Sequence, residues 1–367
     1  VRTDYPDPVA EADALIAAGK AAEAAANLQH LLAQGRGGIL MRLALARALS
    51  ASGDHSAALE CVRDTATLAP DLPSVAIALG DVLLRSGHLP TAIGEYQRAL
   101  RIDPDSGETR LKLAQAWLEA GEAVRAKEML AQISGAEGLT DVIARETAQA
   151  DAMLSAPRAH ANYVRHLFDQ FSTDYDQRML QTLMYRGHLI LREFAAMVLG
   201  TASNLTILDL GCGTGLAGRE FRALASRLDG IDLSPAMVDA AKQLQIYDAL
   251  VVGDLETPLL GAQRYDLAIA ADTLVYLGDL APALEAVART LKPEGFFLFT
   301  TEREEDPERA YSLGPKRRWR HSADYLRNAA ARAGFEMTGL LECSPRVEAG
   351  APVAGWAVAL QLRTGVP

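Results

Sequence analysis

The stretch Thr206-Ile-Leu-Asp-Leu-Gly-Cys-Gly-Thr-Gly215 sets an apolar run, ILDL, directly against a turn with glycine at alternate positions, GCGTG. Glycines there let the backbone pass close to a ligand, and a helix starting near Leu216 would present its N-terminus beside it. Gly213, Gly215 and Gly218 also spell GxGxxG, and Asp232 follows Gly213 by nineteen residues. That spacing meets the loose fingerprint of a dinucleotide site. Carboxylates weigh against a pyrophosphate: Asp209 stands just before the turn, and Asp232, Asp254 and Asp272 close three later apolar runs. Asp209 suits a ligand carrying ammonium and sulfonium groups, because opposite charge is favoured there. Asp232 can accept both hydroxyls of a ribose, and Asp254 can accept from an adenine amino group. Asp272, with Thr273, falls at the mouth of the same pocket. Any one of these residues could be an ordinary turn or helix cap. The ordered set is what a cationic nucleoside ligand requires.

Such residues must be held by a parallel α/β sheet, and from Leu205 the pattern alternates between apolar strand runs and amphipathic helices. LDLGCGTG, IDLS, GDLE and LKPEGFFLFTTE follow one another in that order. The string resembles the class I S-adenosylmethionine-dependent methyltransferases over about residues 160–365. The resemblance implies a Rossmann-like, seven-stranded sheet, with Phe296–Thr300 as the fifth strand and residues 335–341 and 354–362 as a closing reversed hairpin. It implies S-adenosyl-L-methionine as the cofactor. Gly211, Gly213 and Gly215 would line its methionine part, with Asp209 near the ammonium end. Asp232, with Leu233 beside it, would hold the ribose, and Asp254 with Leu255 would frame the adenine. Cys212 fits the turn as a small residue, and no redox role is assigned to it.

A methyl acceptor needs alignment more than activation, because proximity and orientation can supply roughly 7–11 kcal/mol. A base is needed only when the acceptor arrives protonated. A carboxylate acceptor needs cationic partners instead. The segment Thr301–Ser322 supplies candidates: His321 as base or anion-holding donor, and Arg318 or Arg320 as a fork onto a carboxylate. Loop packing with solvated arginines is the competing account. Tyr276, in ADTLVY, is a further acceptor-side candidate. That segment stands where an Asn-Pro-Pro-Tyr motif would mark amide-nitrogen methylation.

The first third has a different logic. Gly19, Gly53, Gly87 and Gly121 are 34 residues apart, and Ala24, Ala58, Ala92 and Ala126 keep the same register. Pro70 and Pro104 repeat it again. A glycine to end one helix, an alanine where two helices approach closely and a proline to break the second describe a helix–turn–helix unit. This resembles the tetratricopeptide repeat, about four copies over residues 5–135. By that resemblance the inner face would read Leu40, Leu43, Arg47, Ser50; then Ser74, Ile77, Asp81, Leu84; then Glu108, Leu111, Gln115, Leu118. No Lys/Asn/Arg clamp for a peptide carboxylate is evident. The face could contact a protein or peptide partner, a second copy of the chain, or the remainder of this one. Residues 136–200 read as a helical linker, broken near Ser172–Asp174, whose Phe168, Phe171, Tyr175 and Tyr185 could lid the pocket of residues 201–367.

The chain is thus expected to be α + α/β: a helical solenoid followed by a methyltransferase domain. Composition agrees. Among 367 residues, 49% are hydrophobic and 23% charged, which excludes disorder. The net charge is −11, of which residues 1–156 carry −7 (14 Lys+Arg against 21 Asp+Glu). Neither part offers the basic field that a phosphate backbone requires, so nucleic acid is not expected as a partner. No run is long and apolar enough for a membrane span, and VRTDYPDPVAEADAL lacks the pattern of a secretory leader. Cys61, Cys212 and Cys343 lie too far apart for a disulfide framework or a metal site. A cytoplasmic setting is expected. The expected activity is methyl transfer to a small-molecule or peptide acceptor. Two rival accounts are a protein methyltransferase that recruits its substrate through the repeats and a non-catalytic S-adenosylmethionine-binding scaffold.

Overall fold

The computed structural model describes residues 7–134, 138–171, 175–256, 264–314 and 316–364. The helix break expected near Ser172–Asp174 and the outer bounds of the repeat array lie outside these residues, as does the Phe171 side chain. The chain divides into two compact units, Val1–Ser155 and Ala156–Pro367.

The first unit is helical: α1 (Pro8–Ala17), α2 (Ala21–Ala33), α3 (Ile39–Ala51), α4 (His55–Leu68), α5 (Pro73–Arg85), α6 (Leu89–Ile102), α7 (Gly107–Glu119), α8 (Ala123–Ala131) and α9 (Thr140–Ser155). The four glycines of the 34-residue register all take left-handed φ, from 75° to 90°. After each, the next N–H reaches back five residues: Lys20 to Leu15, Asp54 to Leu49, His88 to Leu83 and Glu122 to Trp117, at 2.8–3.0 Å. This is the helix stop that a residue without Cβ permits. The four register alanines are fully buried. At Gly80 a Cβ would stand 2.6 Å from the Tyr96 ring, so that glycine admits the aromatic.

A groove of about 1250 Å³ includes Leu40, Leu43, Arg47, Ser50, Ser74, Ile77, Asp81 and Glu108 of the expected inner face in its lining. Leu111 and Leu118 do not join it. They are buried with Val142, Ile143 and Ala150 of α9, while Gln115 donates to Glu146 at 3.1 Å. Helix α9 therefore packs on the last repeat and belongs to the first unit, not to a linker beginning at residue 136.

In the second unit, α10 (Ala161–Phe171), α11 (Tyr175–Gln177, continuing as a π-turn over Arg178–Thr182) and α12 (Gly187–Leu199) precede the sheet. There follow β1 (Leu205–Leu210), α13 (Leu216–Phe221), β2 (Ala225–Asp232), α14 (Pro235–Gln243), β3 (Ala249–Val252), β4 (Tyr265–Ala270) and α15 (Ala281–Thr290). Then come β5 (Leu291–Arg303), β6 (Tyr311–Leu313), β7 (Trp319–His321), α16 (Ala323–Arg332) and β8 (Phe335–Cys343). A two-residue hairpin, β9 (Val347–Glu348) and β10 (Ala351–Pro352), leads into β11 (Gly355–Leu362). The main sheet runs β3-β2-β1-β4-β5-β11-β8, parallel from β3 to β5, with β11 antiparallel to both neighbours. Central β1 and β4 are buried without alternation because helices cover both of their faces, Leu208 and Ala268 packing with α15 and α16, and Ile207 and Leu267 with α12 and α13.

The seven expected strands are present, and two more join them. Strand β5 does not stop at Thr300: its end pairs Glu302 and Arg303 with Arg320 and His321 of β7, and β6 pairs with β7. The segment expected as an open loop thus carries three short stretches of sheet, up to Arg303, at Tyr311–Leu313 and at Trp319–His321.

Candidate active site

The glycine turn between β1 and α13 is tied to the end of β2. The Gly211 and Cys212 N–H groups both donate to the Ile231 carbonyl, at 2.8 and 3.0 Å. Gly211 and Gly213 have φ of 68° and 53°. A Cβ on Gly211 would also fall 2.4 Å from Thr273, so that position needs glycine on two counts. At the tip of β2, Asp232 Oδ2 accepts from Gly213 N–H (2.8 Å) and Oδ1 from Ser234 N–H (2.9 Å). Burial raises the Asp232 pKa, and these N–H groups pull the other way. Ser234 caps α14 and donates its own hydroxyl to Asp169 of α10. Thr214 in the turn likewise donates to Asp176 of α11. The helices that precede the sheet are thus fastened to both loops of the site.

A cavity opens above these loops. On its wall stand Gly211, Gly213, Asp232, Leu233, Asp254, Leu255, Asp272 and Tyr276, all expected from sequence. Phe168 and Tyr175 join them from the preceding helices; Tyr185 does not, and instead stacks on His188. Arg158, which sequence reasoning missed, lies on the wall and is ion-paired to Asp254 (2.8 Å) and Glu256. Its backbone pairs with Leu277, and Ala159 N–H donates to the Tyr276 carbonyl at 2.8 Å. The segment just before α10 is therefore one edge of the cavity. Its sequence, SAPRAH, carries no period that would announce this.

Five expected site residues lie elsewhere. Gly215 caps α13 and faces Leu244 and Tyr247. Asp209 is buried beneath the turn, where Oδ2 accepts from the Tyr247 hydroxyl at 2.7 Å. Burial pushes its pKa up to about 7. Asp209 is not on the cavity wall. His321 is fully buried in β7. Its Nε2 donates to the carbonyls of Leu277 (2.9 Å) and Gly278 (3.1 Å), and Nδ1 accepts from the Thr301 hydroxyl at 2.6 Å. Desolvation lowers its pKa to about 4. Both nitrogens are committed and neither reaches the cavity, so His321 is a strut between β7, β5 and the turn after β4. Arg318 and Arg320 are not on the cavity wall: Arg318 pairs with Glu348 and reaches Tyr276 from behind, and Arg320 approaches Glu302 at 3.6 Å.

Arg346, also missed from sequence, is fully buried behind the wall. Its Nη1 donates to both Asp272 oxygens (2.8 and 3.0 Å), Nη2 to Glu302, and Nε to Glu348 (2.8 Å). Asp272 itself has φ of 60°, and its N–H donates to the Thr300 hydroxyl at 2.8 Å. Burial raises the Tyr276 pKa, while a hydrogen bond from Arg318 opposes that shift. One buried cluster thus fixes the two polar groups, Asp272 and Tyr276, that reach the cavity after β4.

The fold and this site define a class I methyltransferase domain. Residues 208–299 match the family model described as a methyltransferase domain, and residues 83–154 match that described as a tetratricopeptide repeat. The chain therefore joins tetratricopeptide repeats to a methyltransferase domain. It is 34% identical over 99 residues to a malonyl-[acyl-carrier protein] O-methyltransferase of Yersinia pestis, covering 27% of this chain and 37% of that one. It is 33% identical over 113 residues to the Serratia marcescens protein of the same name, covering 30% and 44%. Human methyltransferase-like protein 27 is 37% identical over 87 residues, covering 23% and 35%. The chain spans less than half the length of these relatives. Among solved structures, magnesium protoporphyrin IX methyltransferase of Synechocystis PCC 6803 aligns with a TM-score of 0.44 at 18% identity, over 55% of this chain and 96% of that one.

Proposed function

We propose that the second unit transfers a methyl group from S-adenosyl-L-methionine to the oxygen of a small-molecule acceptor. One observation carries the reading: each Asp232 oxygen already accepts one backbone N–H, which fixes the carboxylate and leaves lone pairs aimed at a diol. A pyrophosphate in the same place would meet Asp232, Asp254 and Asp272 along one wall. When bound, the cofactor supplies a methyl group on a cationic sulfur, an electrophile that needs no metal or base of its own. Asp232 and Leu233 would hold the ribose, Asp254 and Leu255 the adenine, and Gly211 and Gly213 the methionine part. Tyr276 and Asp272 would orient the acceptor. The names of the bacterial relatives support oxygen as the methylated atom.

For the repeats we propose contact with a protein or peptide partner or a second copy of the chain. The groove lined by Leu40, Leu43 and Ile77, with Arg47 and Asp81 among them, supports this. No helix of the described residues is long and apolar enough to cross a membrane. The three free cysteines suit a reducing, cytoplasmic setting.

Isothermal titration of the full chain with S-adenosylhomocysteine and with NAD tests the central reading. Saturable binding of the first, weakened at least tenfold by Asp232→Ala, is expected. Binding of NAD alone would refute it.

A further inference from the structure

The acceptor end of the cavity has a definite chemical character. Phe168 stands edge-on to Tyr175 (centroids 5.9 Å, planes at 65°) and to Tyr276 (5.6 Å, 82°), so three rings border one space. Aromatic residues make up only 6% of the chain, which makes this concentration a local property. Flat molecules gain from such surroundings by edge and face contacts.

Charge narrows the choice further. Among the described residues, Arg158 is the single cation on the wall, and Asp254 and Glu256 engage it. Two further cations stand behind the wall: Arg346 on Asp272, Glu302 and Glu348, and Arg318 on Glu348 and on Tyr276 of the wall itself. The wall itself carries Asp232, Asp254 and Asp272. A carboxylate entering here would lose its water, meet acidic neighbours and find Arg158, Arg318 and Arg346 each already paired with a carboxylate.

Resting on the methyl-transfer reading, we infer that the acceptor is an uncharged aromatic hydroxyl, a phenol, and not a carboxylate. This sets the chain apart from a malonyl acceptor, whose free carboxylate the names of its bacterial relatives imply. The phenol oxygen uses one lone pair to form the new O–C bond. The methyl carbon's bond to sulfur breaks with its electron pair staying on sulfur. The phenolic proton, made strongly acidic once the oxygen carries the methyl group, leaves to water, and Asp272, held by Arg346, orients the hydroxyl as a hydrogen-bond acceptor. His321, held inside β7, takes no part.

The test uses the full chain and two ligands of one skeleton, 2-naphthol and 2-naphthoate. S-adenosylhomocysteine is titrated first, and its failure to bind would overturn the methyl-transfer reading and the inference with it. The chain saturated with S-adenosylhomocysteine is then titrated with each ring compound. Naphthol should bind at least about tenfold more tightly than naphthoate, since each tenfold is about 1.4 kcal/mol. Phe168→Ala should weaken naphthol more than it weakens S-adenosylhomocysteine. With labelled S-adenosylmethionine, the label should appear as naphthyl methyl ether. Naphthoate binding as tightly as naphthol, or naphthol failing to bind, would overturn the acceptor class while leaving methyl transfer standing.

Discussion

The Tyr247 hydroxyl donates to Asp209 Oδ2 at 2.7 Å beneath the glycine turn, 38 residues away along the chain. This contact explains two features that look like ligand chemistry in the sequence. Asp209 is the partner of a buried tyrosine. Gly218, the last glycine of the GxGxxG string, leaves room for the same ring: a Cβ there would stand 2.1 Å from the Tyr247 oxygen.

Gly218→Ala should therefore act through packing. Overpacking of this kind costs roughly 1–3 kcal/mol. Urea unfolding should show a loss in that range, and Tyr247→Leu in the same chain should recover most of it. A pure loss of ligand affinity with unchanged stability would contradict the assignment.

Asp209 sets a pH dependence. Its folded pKa of about 7 lies above the ordinary aspartate value. The folded state therefore holds a proton that the unfolded chain has already released. The resulting stabilisation is present at low pH and is lost as pH rises from about 4 to about 7. Denaturant titrations across that window should show wild type losing stability relative to Asp209→Asn. A constant difference between the two proteins would count against it.

His321 shifts with the opposite sense. Its folded pKa of about 4 is below the ordinary histidine value, so its contribution is complete above about pH 6.5 and is lost as pH falls toward 4. His321→Gln should lower the melting temperature at pH 8, because a buried residue with three hydrogen-bond contacts is disturbed. The shape of the pH–rate profile should remain that of wild type. Loss of an ionisation from that profile would restore the base assignment.

Arg346→Met should be among the most damaging single changes in the second unit. It strands Asp272, Glu302 and Glu348 without their common partner. Breaking a buried pair costs about 3–5 kcal/mol. Arg346→Lys should recover little, since a single ammonium cannot reproduce the fork. Unfolding curves of both variants would check this.

The sequence made Asp232, Asp254 and Asp272 legible because each ends an apolar strand run, a local pattern that survives without coordinates. The 34-residue register worked for the same reason: each glycine, alanine and proline answers a local demand. Arg158, Tyr247 and Arg346 were not legible, because each meets its partner 96, 38 or 74 residues away. His321 misled for a different reason. An arginine-rich stretch reads as solvated, yet WRH is a strand paired with the end of β5, and alternation turns His321 inward while Arg320 stays half-exposed. Helix α9 was misplaced because its apolar residues match those of Leu111 and Leu118, which a repeat template assigns to an open face.

The inward-turned arginines have a consequence for encounter rates. With the arginines paired, the mouth is left to its carboxylates, and an uncharged acceptor is neither steered nor repelled by them. Capture at this mouth is then a matter of diffusion and shape. Raising the ionic strength from 20 to 500 mM (roughly a fivefold contraction of the screening length) should leave kcat/KM for the acceptor nearly flat.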